Sequence, residues 1–199
     1  MDNIDQPTAL DMLFQILTMI APLSGALRKR FEDFIITRQY KKKHLLLREG
    51  EISRRIYFIA EGSARAYHLD REGREHTTWF MSKYDLMISV YSFYTQQPAA
   101  EYIELLEDST LLSMTWDQLQ IIYAEFPEYN FHGRLVTEKY YIMAEERAIL
   151  LRNKQPAERY KLLLQKQPDI TQHASLGQIA SFLGITLETL SRIRARRDI

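Results

Sequence analysis

The sequence predicts an α+β protein in which an antiparallel β-roll is followed by a long helix and a C-terminal helix-turn-helix. From about residue 37 to 115, short runs of strand-forming residues alternate with turns that contain Gly or Asp. A helical spacing of apolar residues returns after Trp116 and persists from about 128 to 152. Pro156 then suits the first turn of a new helix. We therefore divide the 199 residues into segments 1–127, 128–153 and 154–199.

The predicted roll has helices on both sides. Apolar residues recur every three or four positions from 9 to 36, and Pro22 divides them into two short helices. A further short helix surrounds Leu119 and ends near Pro127, and another runs from Ala157 to Gln165. The strands of the roll are expected at 45–47, 56–59, 64–69, 77–80, 102–106 and 110–114.

The helix predicted at 128–152 carries a heptad pattern. Two sets of apolar residues repeat every seven positions: Leu135, Ile142 and Ile149, and Val136, Met143 and Leu150. Such a narrow stripe lets two copies of a helix pair in parallel, which predicts a homodimer. The alternative is a single amphipathic helix that packs on its own domain. Glu145 and Glu146 precede Arg147 here, and we expect surface ion pairs among them.

The last quarter of the chain has the pattern of a helix-turn-helix. Ser175 and Gln178 form a capping box, and Gly184 stands where a sharp interhelical turn needs a left-handed residue. Thr186 can cap the second helix, whose inward face is Leu187 or Leu190 with Ile193. A recognition helix needs polar groups for base edges and cations for phosphates. The outward positions that meet this need are Glu188, Thr189, Ser191, Arg192, Arg194, Arg196 and Arg197. The alternative is a helical hairpin with a solvated, arginine-rich end.

Charge and composition favour a polyanion-binding tail and give no sign of catalysis. Residues 147–199 hold ten Lys/Arg and four Asp/Glu of the totals of 26 each, so the tail is basic and the front acidic. There is no cysteine, no metal-ligand spacing and no catalytic set, so neither an enzyme nor a metal or other cofactor is predicted. Of the five histidines, His76 or His132 could in principle serve as an axial haem ligand, but a lone histidine is more often a surface or core residue. No signal peptide or membrane span is recognised, and a cytoplasmic location is expected.

The whole chain resembles the Crp/Fnr family of bacterial regulators, over roughly residues 20–194. The matching residues in the front half are Gly50, 56–59, 61–62, Arg65 and the pattern Asp70-x-x-Gly73-x-Glu75; in the tail they are 178–180, 183–185 and 186–192. Segment 156–160 is most similar to short members from Bacteroidetes-type bacteria. The resemblance implies a cyclic-nucleotide-binding-like sensor roll, a dimerising helix and a helix-turn-helix that enters the major groove of double-stranded DNA.

The resemblance also assigns roles in DNA contact. Ser175 matches a helix-start residue that holds a phosphate. The family's Arg-Glu pair and later Arg on the recognition helix fall on Leu187, Glu188 and Arg192. Glu188 can accept from cytosine and Arg192 can bind guanine O6 and N7, whereas the contact of the first Arg is lost. The family's C-terminal wing has no counterpart, so we expect DNA affinity to depend more on the terminal arginines and the dimer.

The family's nucleotide site is degenerate here. Members that bind cyclic AMP use a Gly-Glu pair, an Arg-Ser pair and a Thr-Ser pair on the long helix. The corresponding positions are Ile88 and Ser89, Ala99 and Ala100, and Ala144 and Glu145. We expect no binding of cyclic AMP in the usual manner, and Arg65 is expected to pair with a carboxylate. Either the roll accepts an unknown, more apolar effector or it is structural and has no ligand.

Two functions remain in competition. The first is a dimeric DNA-binding transcription regulator. The alternative is a small-molecule sensor, or a degenerate cyclic-nucleotide-binding-like sensor, whose tail contacts a protein partner. Leu187 supports this alternative, because it replaces the family's arginine on the recognition helix. The sequence leaves the effector, the operator and the direction of regulation undetermined.

Overall fold

The protein is an α+β chain, and its computed structural model describes residues 8–195. The strands are β1 (Ile36–Tyr40), β2 (Leu45–Leu47), β3 (Arg55–Glu61), β4 (Ala64–Leu69), β5 (Glu75–Met81), β6 (Leu86–Met87), β7 (Tyr102–Leu105) and β8 (Ser109–Thr115). The helices are α1 (Ala9–Ile20), α2 (Gly25–Phe34), α3 (Val90–Thr95), α4 (Trp116–Glu125), α5 (Tyr129–Asn153), α6 (Pro156–Lys166), α7 (Ile170–His173), α8 (Leu176–Leu183) and α9 (Leu187–Ala195).

The strands form a roll of two four-stranded sheets. Their orders are β1-β8-β3-β6 and β2-β7-β4-β5, and all the pairs are antiparallel. This confirms the predicted α+β class with an antiparallel roll. Apolar side chains from both sheets meet in one core, because each strand turns alternate residues inward. Its buried members are Leu47, Ile59, Ala64, Ala66, Met81, Met87, Ala99, Ile103, Leu105 and Leu111.

The turn between β3 and β4 depends on glycine. Gly62 has φ of +101°, a conformation that side chains with a Cβ rarely adopt. A Cβ at this position would also collide with the side chain of Ser109. The turn therefore brings β3 and β4 into the two different sheets without steric conflict only because residue 62 is glycine.

The short helices cover the outer face of the sheet that contains β8. Thr8 and Asp11 form a capping box that begins α1. Leu27 and Phe31 of α2 are fully buried in the apolar cluster that the helices form with this face of the sheet. Pro22 separates the two helices, as predicted. Continuing the helical pattern to residue 36 was wrong, since α2 ends at Phe34 and Ile36 already pairs with Ser113 of β8.

Four short elements were not foreseen from the sequence. They are β1, β6, α3 and α7, which have between two and six residues each. Such segments have too few residues to display a period, and they are specified by tertiary contacts, as in the pairing of β6 with β3.

The long helix α5 is anchored to the β-roll and to the helices that cover it at its N-terminal end. Tyr129 packs edge-on against Phe31, with ring centroids 5.2 Å apart. His132 is fully buried and its Nε2 donates to the carbonyl oxygen of Ala21 (3.0 Å). The rest of α5 continues beside β6, where the hydroxyl of Tyr140 accepts from the N–H of Leu86, and ends at Asn153 near the C-terminal helices.

Helix α8 packs directly on the edge strand β5, which the sequence did not predict. The hydroxyl of Ser181 accepts from the backbone N–H of Thr77 (2.9 Å) and donates to the carbonyl oxygen of Glu75 (3.1 Å). The rings of Phe80 and Phe182 lie 4.9 Å apart. Edge strands leave backbone groups unpaired, and α8 covers some of those of β5.

Candidate functional sites

The C-terminal helices have the geometry of a helix-turn-helix. Ser175 begins α8, where its hydroxyl accepts from the N–H of Gln178 (3.2 Å) and the Gln178 side chain accepts from the N–H of Ser175 (2.8 Å). Gly184 follows α8 in the left-handed conformation, with φ of 65° and ψ of 40°. The chain can therefore reverse direction within three residues, and α9 begins at Leu187.

Helix α9 has one buried apolar face and one exposed polar face. Leu190 is fully buried and Ile193 is nearly so, which selects Leu190 over Leu187 as the inward residue. The hydroxyl of Thr186 caps the helix by accepting from the N–H of Thr189 (3.2 Å). The guanidinium of Arg192 donates to the hydroxyl of Thr189 (3.2 Å), which directs it along the helix surface.

The structure places most of the residues expected to contact DNA on one accessible surface. Ser175, Thr186, Glu188, Ser191, Arg192 and Arg194 are exposed, and Thr189 is half-buried. Leu187 is also exposed at 49%. Arg196 and Arg197 lie outside the described residues.

The two heptad sets of α5 face in different directions. Ile142 and Ile149 are exposed at 56% and 55%, and Leu135 is half-buried; we name Leu135, Ile142 and Ile149 the outer stripe. The second set, Val136, Met143 and Leu150, is half-buried and lines cavities against the protomer's own roll and C-terminal helices.

The loop positions of the family's nucleotide site are occupied by internal contacts. The buried hydroxyl of Ser89 donates to the carboxylate of Glu101 (2.6 Å). The N–H of Ala99 donates to the carbonyl of Glu51, and the Ala99 carbonyl accepts from the N–H of Gly50, both at 2.8 Å.

The other positions of that site are spread over the structure. The carbonyl of Ala100 lies 2.7 Å from Nδ1 of His68, and Ile88 is half-buried. Ala144 and Glu145 are exposed on α5. The described contacts do not gather these residues into one polar pocket.

Arg65 is buried and paired, in accordance with its expected role. Its guanidinium lies 2.7 Å from a carboxylate oxygen of Glu104 and 2.5 Å from one of Glu75, and it stacks over the ring of Tyr67 (4.1 Å). Its side chain is only 3% exposed. Its charge is therefore already balanced by two carboxylates.

The expected ion pairs of Arg147 with Glu145 and Glu146 are not formed. Arg147 turns towards α8, where its Nη2 donates to the carbonyl of Phe182 (2.7 Å) and its guanidinium lies 3.7 Å from the Phe182 ring centre. Glu146 instead pairs with Lys166 (2.7 Å). The helical i,i+1 and i,i+2 spacings put these carboxylates on other faces than the arginine, which explains the error.

No metal or haem ligand set is apparent in residues 8–195. Clusters of three or more potential metal ligands are absent from this part of the chain. Nε2 of His76 lies 2.9 Å from Asp70, whose pKa is lowered by hydrogen bonds from His76 and Arg74. His132 donates to Ala21, as described above. Within the same residues, every helix is too short or too polar to span a membrane.

A family profile and several curated proteins are similar to this chain in sequence. The family profile described as a cyclic nucleotide-binding domain matches residues 37–126. The anaerobic regulatory protein of Haemophilus influenzae is 26% identical over 179 residues, which cover 82% of this chain and 68% of that protein. The regulatory protein HlyX of Actinobacillus pleuropneumoniae is 25% identical, with coverages of 82% and 73%.

Solved structures share the same fold. FixK2 from Bradyrhizobium japonicum superposes with a TM-score of 0.69 at 21% identity, over 81% of this chain and 83% of FixK2. A CooA mutant from Carboxydothermus hydrogenoformans superposes with a TM-score of 0.65 at 22% identity, over 92% of this chain and 82% of the CooA chain.

The profile match, the curated relatives and the shared fold support the assignment of the chain to the Crp/Fnr family of transcriptional regulators. This confirms the family that the sequence motifs indicated. Crp/Fnr transcriptional regulators are not enzymes.

Several residues between the elements were missed by sequence reasoning. Ser181 and Phe182 join α8 to β5, Arg147 joins α5 to α8, and Arg159 lies near Gly184. Their contacts are with residues distant in sequence, so no local spacing could have identified them.

Proposed function

We propose that this Crp/Fnr regulator binds a near-palindromic DNA site as a homodimer through α9. The exposed polar surface of α9 carries the proposal, because a buried Leu190 and Ile193 leave Glu188 and Arg192 free to reach base edges. In two paired copies, the recognition helices would enter successive major grooves about 34 Å apart.

The DNA proposal has a direct test. A genomic pull-down with the purified protein should recover a common two-fold-symmetric sequence. A gel shift on that sequence should weaken steeply as salt rises, because phosphate contacts release counterions. Recovery of no common sequence, together with salt-insensitive binding, would reject the proposal.

We further propose that α5 is the dimerisation element of the protein and forms segment 128–153. On this proposal, segment 1–127 is the sensor and segment 154–199 binds DNA. Exposed large apolar side chains on one helix support this, since isolated exposed ones are common but a contiguous set marks an interface. Ile142 (56%) and Ile149 (55%) are seven residues apart and share one face of the helix, and Tyr141 (67%) flanks Ile142.

We also propose that the roll does not bind cyclic AMP in the family's usual manner. A cyclic phosphate carries a full negative charge, and enclosing it requires a cation or several donors. Ala99 offers neither, and the buried Arg65 is already paired with Glu75 and Glu104. The roll core is instead filled by side chains such as Met87 and Leu105.

A protein-contacting tail is the second candidate. Leu187 supports it, because this apolar side chain is 49% exposed on the surface of α9 where the family uses an arginine. If the tail binds a protein, Leu187→Arg should abolish capture of that protein. If it binds DNA, Leu187→Arg should retain or strengthen the gel shift.

A further inference from the structure

A cavity of about 580 Å³ lies where the β-roll, α5 and the C-terminal helices meet. Its volume falls in the range of about 300–1,000 Å³ that is usual for small-molecule sites. It lies outside the roll core, so it is separate from the positions of the family's nucleotide site. Its apolar wall is formed by Trp79, Phe80, Met143, Leu150, Leu162 and Phe182.

Two arginines on different helices line this cavity. Arg147 comes from α5 and Arg159 from α6, and both are half-buried. Burial and the nearby charge of Arg159 lower the pKa of Arg147 to about 10. Nε of Arg159 is buried and has no hydrogen-bond partner in the structure. Within residues 8–195, neither guanidinium has a carboxylate oxygen within 4.0 Å.

The carboxylates of the cavity wall form their recorded contacts with groups other than the two guanidinium groups. Exposed Lys83 adds a further positive charge at the rim. The partners are His173 for Glu107 (3.2 Å), Lys166 for Glu146 (2.7 Å), the N–H of Ser82 for Asp85 (2.9 Å) and Gln172 for Asp169 (3.1 Å).

We propose that this cavity binds a small organic oxyanion, a carboxylate or phosphate ester with an apolar body, between Arg147 and Arg159. Two neighbouring cations in a partly dry recess are unfavourable without an anion, and arginine suits carboxylates and phosphates because it donates two parallel hydrogen bonds. The apolar body would lie against Trp79 and Leu162. The side-chain oxygen of Gln167, which is buried and unpartnered, would accept from a hydroxyl on the ligand.

Such a ligand would join the two halves of the protomer. Trp79 belongs to β5, whereas Arg159 and Phe182 belong to the C-terminal helices. Binding to this composite wall would therefore stabilise the contact of α8 with β5. The binding step itself needs neither DNA nor a second copy of the chain, so its failure is distinguishable from failure of the DNA proposal.

Tryptophan fluorescence offers a direct test. The chain has two tryptophans, and Trp116→Phe leaves Trp79 as the single reporter in the cavity wall. The full-length protein is titrated with phenyl phosphate, 4-hydroxybenzoate, inorganic phosphate and neutral benzyl alcohol. We expect saturable changes in tryptophan fluorescence with phenyl phosphate, with 4-hydroxybenzoate or with both, at midpoints below about 1 mM. Inorganic phosphate and benzyl alcohol should produce weaker changes. The more effective anion identifies phosphate ester or carboxylate as the preferred group.

Variants decide whether the arginines hold the anion. Arg159→Gln should weaken binding about ten- to a hundredfold, since a charge-assisted contact is lost. Lys161→Gln, an exposed change on the same helix, should leave it unaltered. Arg159→Lys controls for misfolding, because it keeps the positive charge, and it should retain more affinity for the anion than Arg159→Gln. Equal binding of benzyl alcohol, unchanged affinity in Arg159→Gln, or no saturation by either aromatic anion would overturn the proposal.

Discussion

Replacing both isoleucines of the outer stripe by glutamate should separate the proposed dimer. Ile142 and Ile149 are 56% and 55% exposed in the single chain. Complete burial of such a side chain stabilises by about 1.5–3 kcal/mol, so the exposed half contributes about 0.8–1.7 kcal/mol on pairing. Four side chains in a dimer give roughly 3–7 kcal/mol, or about 10²- to 10⁵-fold in the dimer Kd. Facing carboxylates would weaken pairing further.

Light scattering across a concentration series measures this change. Wild-type protein should be dimeric at micromolar concentration and Ile142→Glu/Ile149→Glu monomeric, with the same far-UV circular dichroism. Met19→Glu is the matched control, because Met19 is 78% exposed on α1 and should tolerate the charge without dissociation. A monomeric wild type, or a double variant that remains dimeric, would refute the assignment of α5 as the dimer helix.

Three further predictions concern α9 and the roll. Arg192→Ala should cost roughly 1–3 kcal/mol at its guanine and relax base preference there, as measured by competition gel shifts; unchanged discrimination would exclude Arg192 from base contact. Leu190→Ala should lower the free energy of unfolding by about 2–5 kcal/mol in urea, because Leu190 is fully buried, whereas a loss below 1 kcal/mol would contradict its place in the core. Calorimetric titration with cyclic AMP should show no micromolar binding, since two lost charge-assisted contacts cost roughly 1.5–3 kcal/mol each; tight binding abolished by a substitution in residues 88–100 would show that the loop alignment is misplaced.

Elements with a long period or an explicit cap were predictable from the sequence. The heptad repeat of α5 and the capping box of Ser175 with Gln178 predicted helix boundaries close to those observed, at Tyr129–Asn153 and Leu176–Leu183. Both signals are local, because a repeated apolar face and a side chain that caps its own helix are specified by neighbouring residues.

The direction in which α5 faces could not be read from its heptads. Val136 and Met143 have the same seven-residue repeat as Leu135 and Ile142, yet they line cavities within their own protomer. A period states which residues share a face, but it does not state what covers that face. That choice depends on the roll and on α6, whose positions are set by long-range packing.

The contact of α8 with β5 is of moderate strength, which suits a part that changes position. Ser181 makes two hydrogen bonds across it, and Gln167 at the end of α6 donates a third to the carbonyl oxygen of Phe80 in β5. Each is worth a net 0.5–1.5 kcal/mol or so, and the aromatic pair of Phe80 with Phe182 adds a similar amount. The sum is roughly 2–6 kcal/mol, whereas a ligand at a hundred times its Kd supplies about 2.7 kcal/mol. Because these free energies are of the same order, a ligand that prefers one position of the recognition helix can change its population measurably.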